Sequence, residues 1–180
     1  MVSKKEFYFV RHGQTDLNLG DGKNKQDHPK ETPLNKTGRE QAFMIEPIVA
    51  LLPIQTICAS PMQRAQETKE IIAARLQAPH HQIQDLGECT GQVWNSMSNL
   101  GMYSLIPIEG EVRLFMERVR AGLNHALSLP GPALIVAHGG VHWAICCLMD
   151  IKNHEWAIHN CGVVHFSVND QEKWTALKLA

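Results

Sequence analysis

Short apolar runs alternate along this chain with longer stretches in which apolar residues recur every three or four positions. Phe7-Tyr8-Phe9-Val10, residues 54–59 and residues 133–137 have the length and β-forming composition of buried strands, and residues 83–86 form a shorter run of the same kind. Asn35 or Thr37 caps a helix carrying Phe43, Met44, Ile48, Val49 and Leu52, with Pro47 expected to kink or interrupt it. Ser60-Pro61, a cap followed by a first-turn proline, opens a second helix reaching Leu76. Residues 111–129 carry the strongest helical pattern, with Val112, Phe115, Met116, Val119 and Leu123 on one face, and Pro130-Gly131-Pro132 stops it. An apolar helix follows at 141–149, and residues 163–168 and 174–177 read as a hairpin around Asn169-Asp170. Residues 87–110 follow neither period and are expected to be irregular.

This alternation predicts an α/β fold, a three-layer sandwich with a mostly parallel central sheet and helices on both faces. No repeat or linker divides it, so residues 1–180 read as a single domain with a lysine-rich surface loop at 20–33 and a short cap insertion at 89–110.

Composition narrows the picture without changing it. Of 180 residues, 44% are hydrophobic and 19% charged, enough to build a sizeable core and too apolar for a disordered chain. Seventeen basic and eighteen acidic residues leave a net charge of −1, so no global field favours nucleic acid or a membrane surface. Any anion site must be local. The apolar stretch near the N-terminus is too short for a signal peptide, and no apolar segment is long enough to span a bilayer. Five cysteines (58, 89, 146, 147 and 161), with no CxxC or zinc spacing, suggest reduced, packed thiols in a cytoplasmic protein.

The candidate chemistry sits at the ends of three predicted strands. The first run ends in Arg11-His12-Gly13, the second leads into Ser60-Pro61 and Arg64, and the third ends in His138-Gly139-Gly140. In a parallel sheet these ends share one edge, so two guanidiniums, two imidazoles and helix N-termini can converge into a cage for a dianion such as phosphate. Singly, each group reads as a surface arginine or a packed histidine. Together they read as a site. His138 and His142 lie four residues apart, but no glutamate follows His138 and no third ligand is evident, and His154, His159 and His165 form no ligand pattern; neither a metal nor another cofactor is expected.

Arg11-His12-Gly13-Gln14-Thr15, Ser60-Pro61-x-x-Arg64-Ala65-x-x-Thr68 and Ala137-His138-Gly139-Gly140 resemble, in order and spacing, the motifs of the histidine phosphatase superfamily, which includes phosphoglycerate mutases and many phosphatases. Pro33-Leu34-Asn35-x-x-Gly38-x-x-Gln41-Ala42 and Gly110-Glu111 with Phe115 and Arg118 resemble two further elements of that family. The resemblance implies that His12 is a nucleophile that becomes phosphorylated, and a largely neutral imidazole suits that attack. It implies that Arg11, Arg64 and His138 neutralise charge on the transferring phosphoryl group, with the backbone at Gly139 contributing. Asn18 would add a hydrogen bond to phosphate, or form an Asx turn in its own loop. Glu88, in Leu86-Gly87-Glu88-x-x-Gly91-x-x-Trp94, resembles the family's proton-donor element; the alternative is a solvated loop glutamate, and the aligned Leu86 and Trp94 favour the donor.

The chain departs from the mutases in the segment after Glu88, which is also short compared with their capping insertion. Where they hold a phosphoglycerate carboxylate with cations and a tyrosine, residues 89–96 offer Cys-Thr-Gly-Gln-Val-Trp-Asn-Ser. This favours a phosphatase acting on a small phosphorylated substrate, or on a phosphoprotein. Mutase-type phosphoryl transfer and protein phosphohistidine phosphatase activity stand as alternatives, with a non-catalytic phospho-ligand module behind them. Lys23, Lys25, His28 and Lys30 could reach a charged substrate, although a solvated basic loop is the simpler expectation. The substrate's identity and the oligomeric state are not encoded in any motif.

Overall fold

The computed structural model describes residues 1–19, 30–99, 110–151 and 158–180. Its strands are β1 (Phe7–Arg11), β2 (Thr56–Ala59), β3 (His80–Gln82), β4 (Ala133–Ala137), β5 (Val163–Val168) and β6 (Trp174–Lys178). Its helices are α1 (Lys36–Val49), α2 (Gln63–Ile72), α3 (Gly91–Asn99), α4 (Gly110–Ser128) and α5 (Gly139–Leu148). The strands form one sheet in the order β3-β2-β4-β1-β5-β6. The first four in that order run parallel, and β5 and β6 close one side as an antiparallel hairpin.

Period-two alternation sends β1 into both faces of the sheet. Phe7 and Phe9 pack with β4 residues Ala133, Ile135 and Ala137 against Val93, α4 and α5. Tyr8 and Val10 point the other way, with Leu134 and Val136, against Ala42, Ile45 and Val49 of α1 and Ala65 and Ile72 of α2. Both faces are covered, which is why β4 and the Phe7–Val10 run of β1 are apolar without interruption. The result is the α/β sandwich that the alternating pattern predicts.

Several local expectations need correction. The third strand is His80–Gln82, and residues 84–86 instead form a 3-10 turn. The strand is a polar, partly exposed edge, whereas Ile83 and Leu86 are buried because the turn folds under α4. Residues 91–99 are helical despite their Gly, Asn and Ser content. Thr90 Oγ1 accepts from Val93 N (3.4 Å), and Val93 is buried against the core. The second helix is shorter than its pattern suggests: Met62, not Ser60, is its N-cap, and it ends at Ile72. Pro47 does not break α1, which continues to Val49; it lies in the last turn, two residues before the end, so a bend there would displace little of the helix. Asn35 caps α1 by accepting from Gly38 N (2.8 Å). The expectations on Lys23, Lys25 and His28, on His154, and on residues 100–109 of the cap insertion fall outside the described residues.

Candidate active site

At the carboxyl edge of the sheet, the three strand ends lie side by side in register. Arg11 pairs with Ala137 across β1 and β4, and Ala59 pairs with Val136 across β2 and β4. The ladder continues one residue further on both sides of β4: His12 N donates to Ala137 O (2.9 Å) and Ser60 N to Val136 O (3.0 Å). Arg11, His12, Thr15, Asn18, Arg64, Glu88 and Trp94 line one small pocket there.

His12 is almost wholly buried, and its partners determine its tautomer. Nδ1 lies 2.7 Å from the Gly13 carbonyl, which can only accept, so Nδ1 carries the proton. Arg64 Nε, which can only donate, lies 3.2 Å from Nε2. Both bonds are satisfied only by the neutral ring with its lone pair on Nε2. The backbone is held as firmly: Asn160 Nδ2 donates to His12 O (2.9 Å) and Thr68 Oγ1 accepts from Gly13 N (3.0 Å). Gly13 has no alternative, because a Cβ there would overlap the Gly38 carbonyl, and a Cβ on Gly38 would overlap the backbone of Gln14.

Arg64 occupies the first turn of α2, where Nη2 also approaches Met62 Sδ (3.1 Å). Burial lowers its proton affinity, with Glu88 opposing and the like charge of Arg11 adding to the effect; a guanidinium starts high enough to stay charged. Arg11 is anchored by donation from Nη1 to Ile158 O (2.6 Å). Asn18 ends a short 3-10 turn, and its Oδ1 collects Thr15 N (2.9 Å), Thr15 Oγ1 (3.1 Å) and Asn160 Nδ2 (3.5 Å). With the oxygen so engaged, the amide group can present only its Nδ2 donors to an anion.

His138 is fully buried, its ring centroid 5.2 Å from that of His12, and its Nε2 lies 2.7 Å from Ser60 Oγ. It stands beside His12 without contributing to the pocket wall. Gly139 opens α5 under the Trp94 indole, which lies 3.5 Å from the position a Cβ would take. Glu88 enters the pocket from the loop after the 3-10 turn. Its Oε1 accepts from Cys89 N (2.9 Å) and its Oε2 from Gly140 N (3.2 Å). Arg118 of α4 fixes this loop by donating to the carbonyls of Asp85 (3.0 Å) and Glu88 (3.1 Å).

The structure therefore gathers Arg11, His12, Asn18, Arg64 and Glu88 in one wall, with His138 and Gly139 immediately adjoining it. Sequence reasoning did not single out Asn160 or the bond between Ser60 and His138. Asn160 works through a carbonyl distant in the chain and leaves no local signal; Ser60 was visible only as a helix cap. His142, four residues from His138, packs between Phe9 (5.4 Å) and Phe166 (5.8 Å) in the core.

An α/β sandwich whose sheet edge gathers a histidine and two arginines in one pocket defines the class of this protein, and comparison with known proteins gives that class its family. The sequence model of the histidine phosphatase superfamily (branch 1) matches residues 7–180, and the chain belongs to this superfamily. Agropine synthesis reductase of Rhizobium rhizogenes is 33% identical over 175 residues, covering 92% of this chain but only 40% of that protein. The chain thus spans well under half of that relative's length. The uncharacterized phosphatase PhoE of Bacillus subtilis (strain 168) is 28% identical over 176 residues, covering 92% of this chain and 89% of that one. Among solved structures, the alpha-ribazole phosphatase from Shigella flexneri superposes with a TM-score of 0.71 at 24% identity, covering 97% of this chain and 96% of its own. That likeness establishes the shared fold.

Proposed function

We propose that this protein hydrolyses phosphomonoesters through a phosphohistidine formed on His12 Nε2. The observation that carries the proposal is the tautomer of His12: the Nδ1 proton is tied to the Gly13 carbonyl, leaving the Nε2 lone pair beside Arg64. Attack by Nε2 forms the N–P bond as the bond from phosphorus to the ester oxygen breaks. Glu88 gives its proton to the departing oxygen, which leaves as an alcohol. Arg11, Arg64 and Asn18 Nδ2 hold the equatorial oxygens, with His138 adding positive potential from beside them. Water then attacks phosphorus, Glu88 takes back a proton, the N–P bond breaks and inorganic phosphate leaves.

The segment after Glu88 supports hydrolysis over mutase chemistry. Residues 89–96 bring no cation to hold a second acidic group, and Trp94 supplies an indole to the pocket instead. The favoured substrate is small and phosphorylated. The test is phosphate release from alkyl phosphates, p-nitrophenyl phosphate, phosphoserine peptide and phosphohistidine, by wild type and His12→Ala. Acid-labile labelling of the wild type from radioactive substrate, absent in His12→Ala, is the expected result; equal release by both proteins would refute the proposal.

A further inference from the structure

Gly140 is the second residue of α5, two positions beyond His138, and it meets Glu88 in two independent ways. Its N–H donates to Glu88 Oε2 (3.2 Å). A Cβ at Gly140 would overlap Glu88 Oε1 and would lie 2.9 Å from Cys89 Sγ. The carboxylate therefore occupies the volume that any other residue at position 140 would fill. No backbone atom is among the nearest neighbours of that Cβ position, only the Glu88 carboxylate and the Cys89 sulfur. The carboxylate is the free end of a flexible side chain, so it can move aside without the fold moving with it.

We propose that Gly140 is the positioning residue for Glu88: it seats the carboxylate against the first turn of α5 by one hydrogen bond and by the absence of a side chain. This rests on the reading of Glu88 as the proton donor to the leaving group. Its mechanical content is that His138 and Glu88 share a support. The strand-to-helix turn that carries His138 also sets where Glu88 sits, so the acid keeps its distance from the phosphoryl group. Arg118 fixes the backbone of the same loop through the Asp85 and Glu88 carbonyls, and Cys89 N holds Oε1 (2.9 Å), leaving Oε2 to Gly140.

The experiment compares wild type, Gly140→Ala, Glu88→Gln and the double variant on an alkyl phosphate and on p-nitrophenyl phosphate. A good leaving group needs little protonation, so a displaced acid affects only the alkyl ester. Gly140→Ala is expected to lower kcat on the alkyl ester by about 10- to 100-fold, a part of the roughly 10²- to 10⁴-fold that general acid catalysis supplies, with kcat on p-nitrophenyl phosphate nearly unchanged. The double variant should be no slower on the alkyl ester than Glu88→Gln alone, since there is no acid left to misplace. An equal loss on both esters, or an additive double variant, would overturn the proposal. If Gly140→Ala does not fold, Gly140→Ala/Cys89→Ala relieves the clash with sulfur but keeps the clash with the carboxylate, and the same outcomes decide. Failure of the wild type to form a phosphohistidine would refute the phosphatase reading. An active wild type with leaving-group-independent effects would refute only the role of Gly140.

Discussion

Arg64 Nε and His12 Nε2 are 3.2 Å apart, so the guanidinium rests on the lone pair that the ring would use to attack phosphorus. In the proposed reaction, the phosphoryl group must take the arginine's N–H as it reaches the histidine. One contact both protects the nucleophile and is spent on binding.

Arg64→Lys tests that exchange. Lysine keeps the charge but lacks the planar fork, so it cannot satisfy Nε2 and a phosphoryl oxygen from one rigid group. Loss of kcat/KM by roughly 10²- to 10³-fold on p-nitrophenyl phosphate is expected, with the phosphohistidine intermediate reduced in the same proportion. Steady-state kinetics and rapid-quench labelling measure both.

Asn18→Asp is a nearly isosteric change with an opposite electrostatic result. One oxygen keeps the bonds from Thr15 and Asn160, and the other replaces the Nδ2 donor with negative charge. The variant should fold normally and lose about 10²-fold or more in kcat/KM. Inorganic phosphate should also inhibit it less strongly than it inhibits the wild type.

Ser60→Ala removes the hydroxyl that holds His138 Nε2 and accepts from Met62 N (3.3 Å). Leaving buried polar groups unsatisfied costs about 1–3 kcal/mol, so Tm should fall measurably. Activity should fall as well, and Ser60→Thr should restore more of it than Ser60→Ala retains. Equal activity in the alanine variant and the wild type would remove His138 orientation from the role of Ser60.

Alkaline conditions should expose the buried thiols. Burial pushes Cys58 and Cys161 up to about 12 and Cys147 to about 11 from an ordinary value of 9.0. The folded state thus holds these protons after the unfolded chain has released them. Their contribution is complete below pH 9 and disappears as pH rises through the folded values, at a rate of at most roughly 1.4 kcal/mol per pH unit for each group. Tm measured from pH 8 to pH 11 should therefore drop, and less steeply in Cys58→Ala.

Much of this was legible because the parallel core is written in unbroken apolar runs. Phe7 to Val10 and Ala133 to Ala137 could be little else than buried strands, and the residues just after them had to share an edge. The cage of Arg11, His12, Arg64 and His138 follows from that geometry. The polar edge strand at His80–Gln82 was hidden because pairing with β2, rather than burial, makes it a strand. Residues 91–99 were hidden because packing of Val93, rather than propensity, makes them helical. Asn160 was hidden for a different reason, since its contact with His12 spans most of the chain.

The position of β1 has a consequence for the making of the protein. The strand that carries Arg11 leaves the ribosome before the other described strands, but its two sheet neighbours, β4 and β5, are the third and fourth of those to follow. Until those segments are synthesised, Phe7 and Phe9 have no sheet to enter, and the phosphate cage lacks one of its walls. Such non-local pairing slows folding and leaves an apolar strand exposed during translation. The nascent chain therefore keeps β1 without its sheet partners until residues 133–168 have been made.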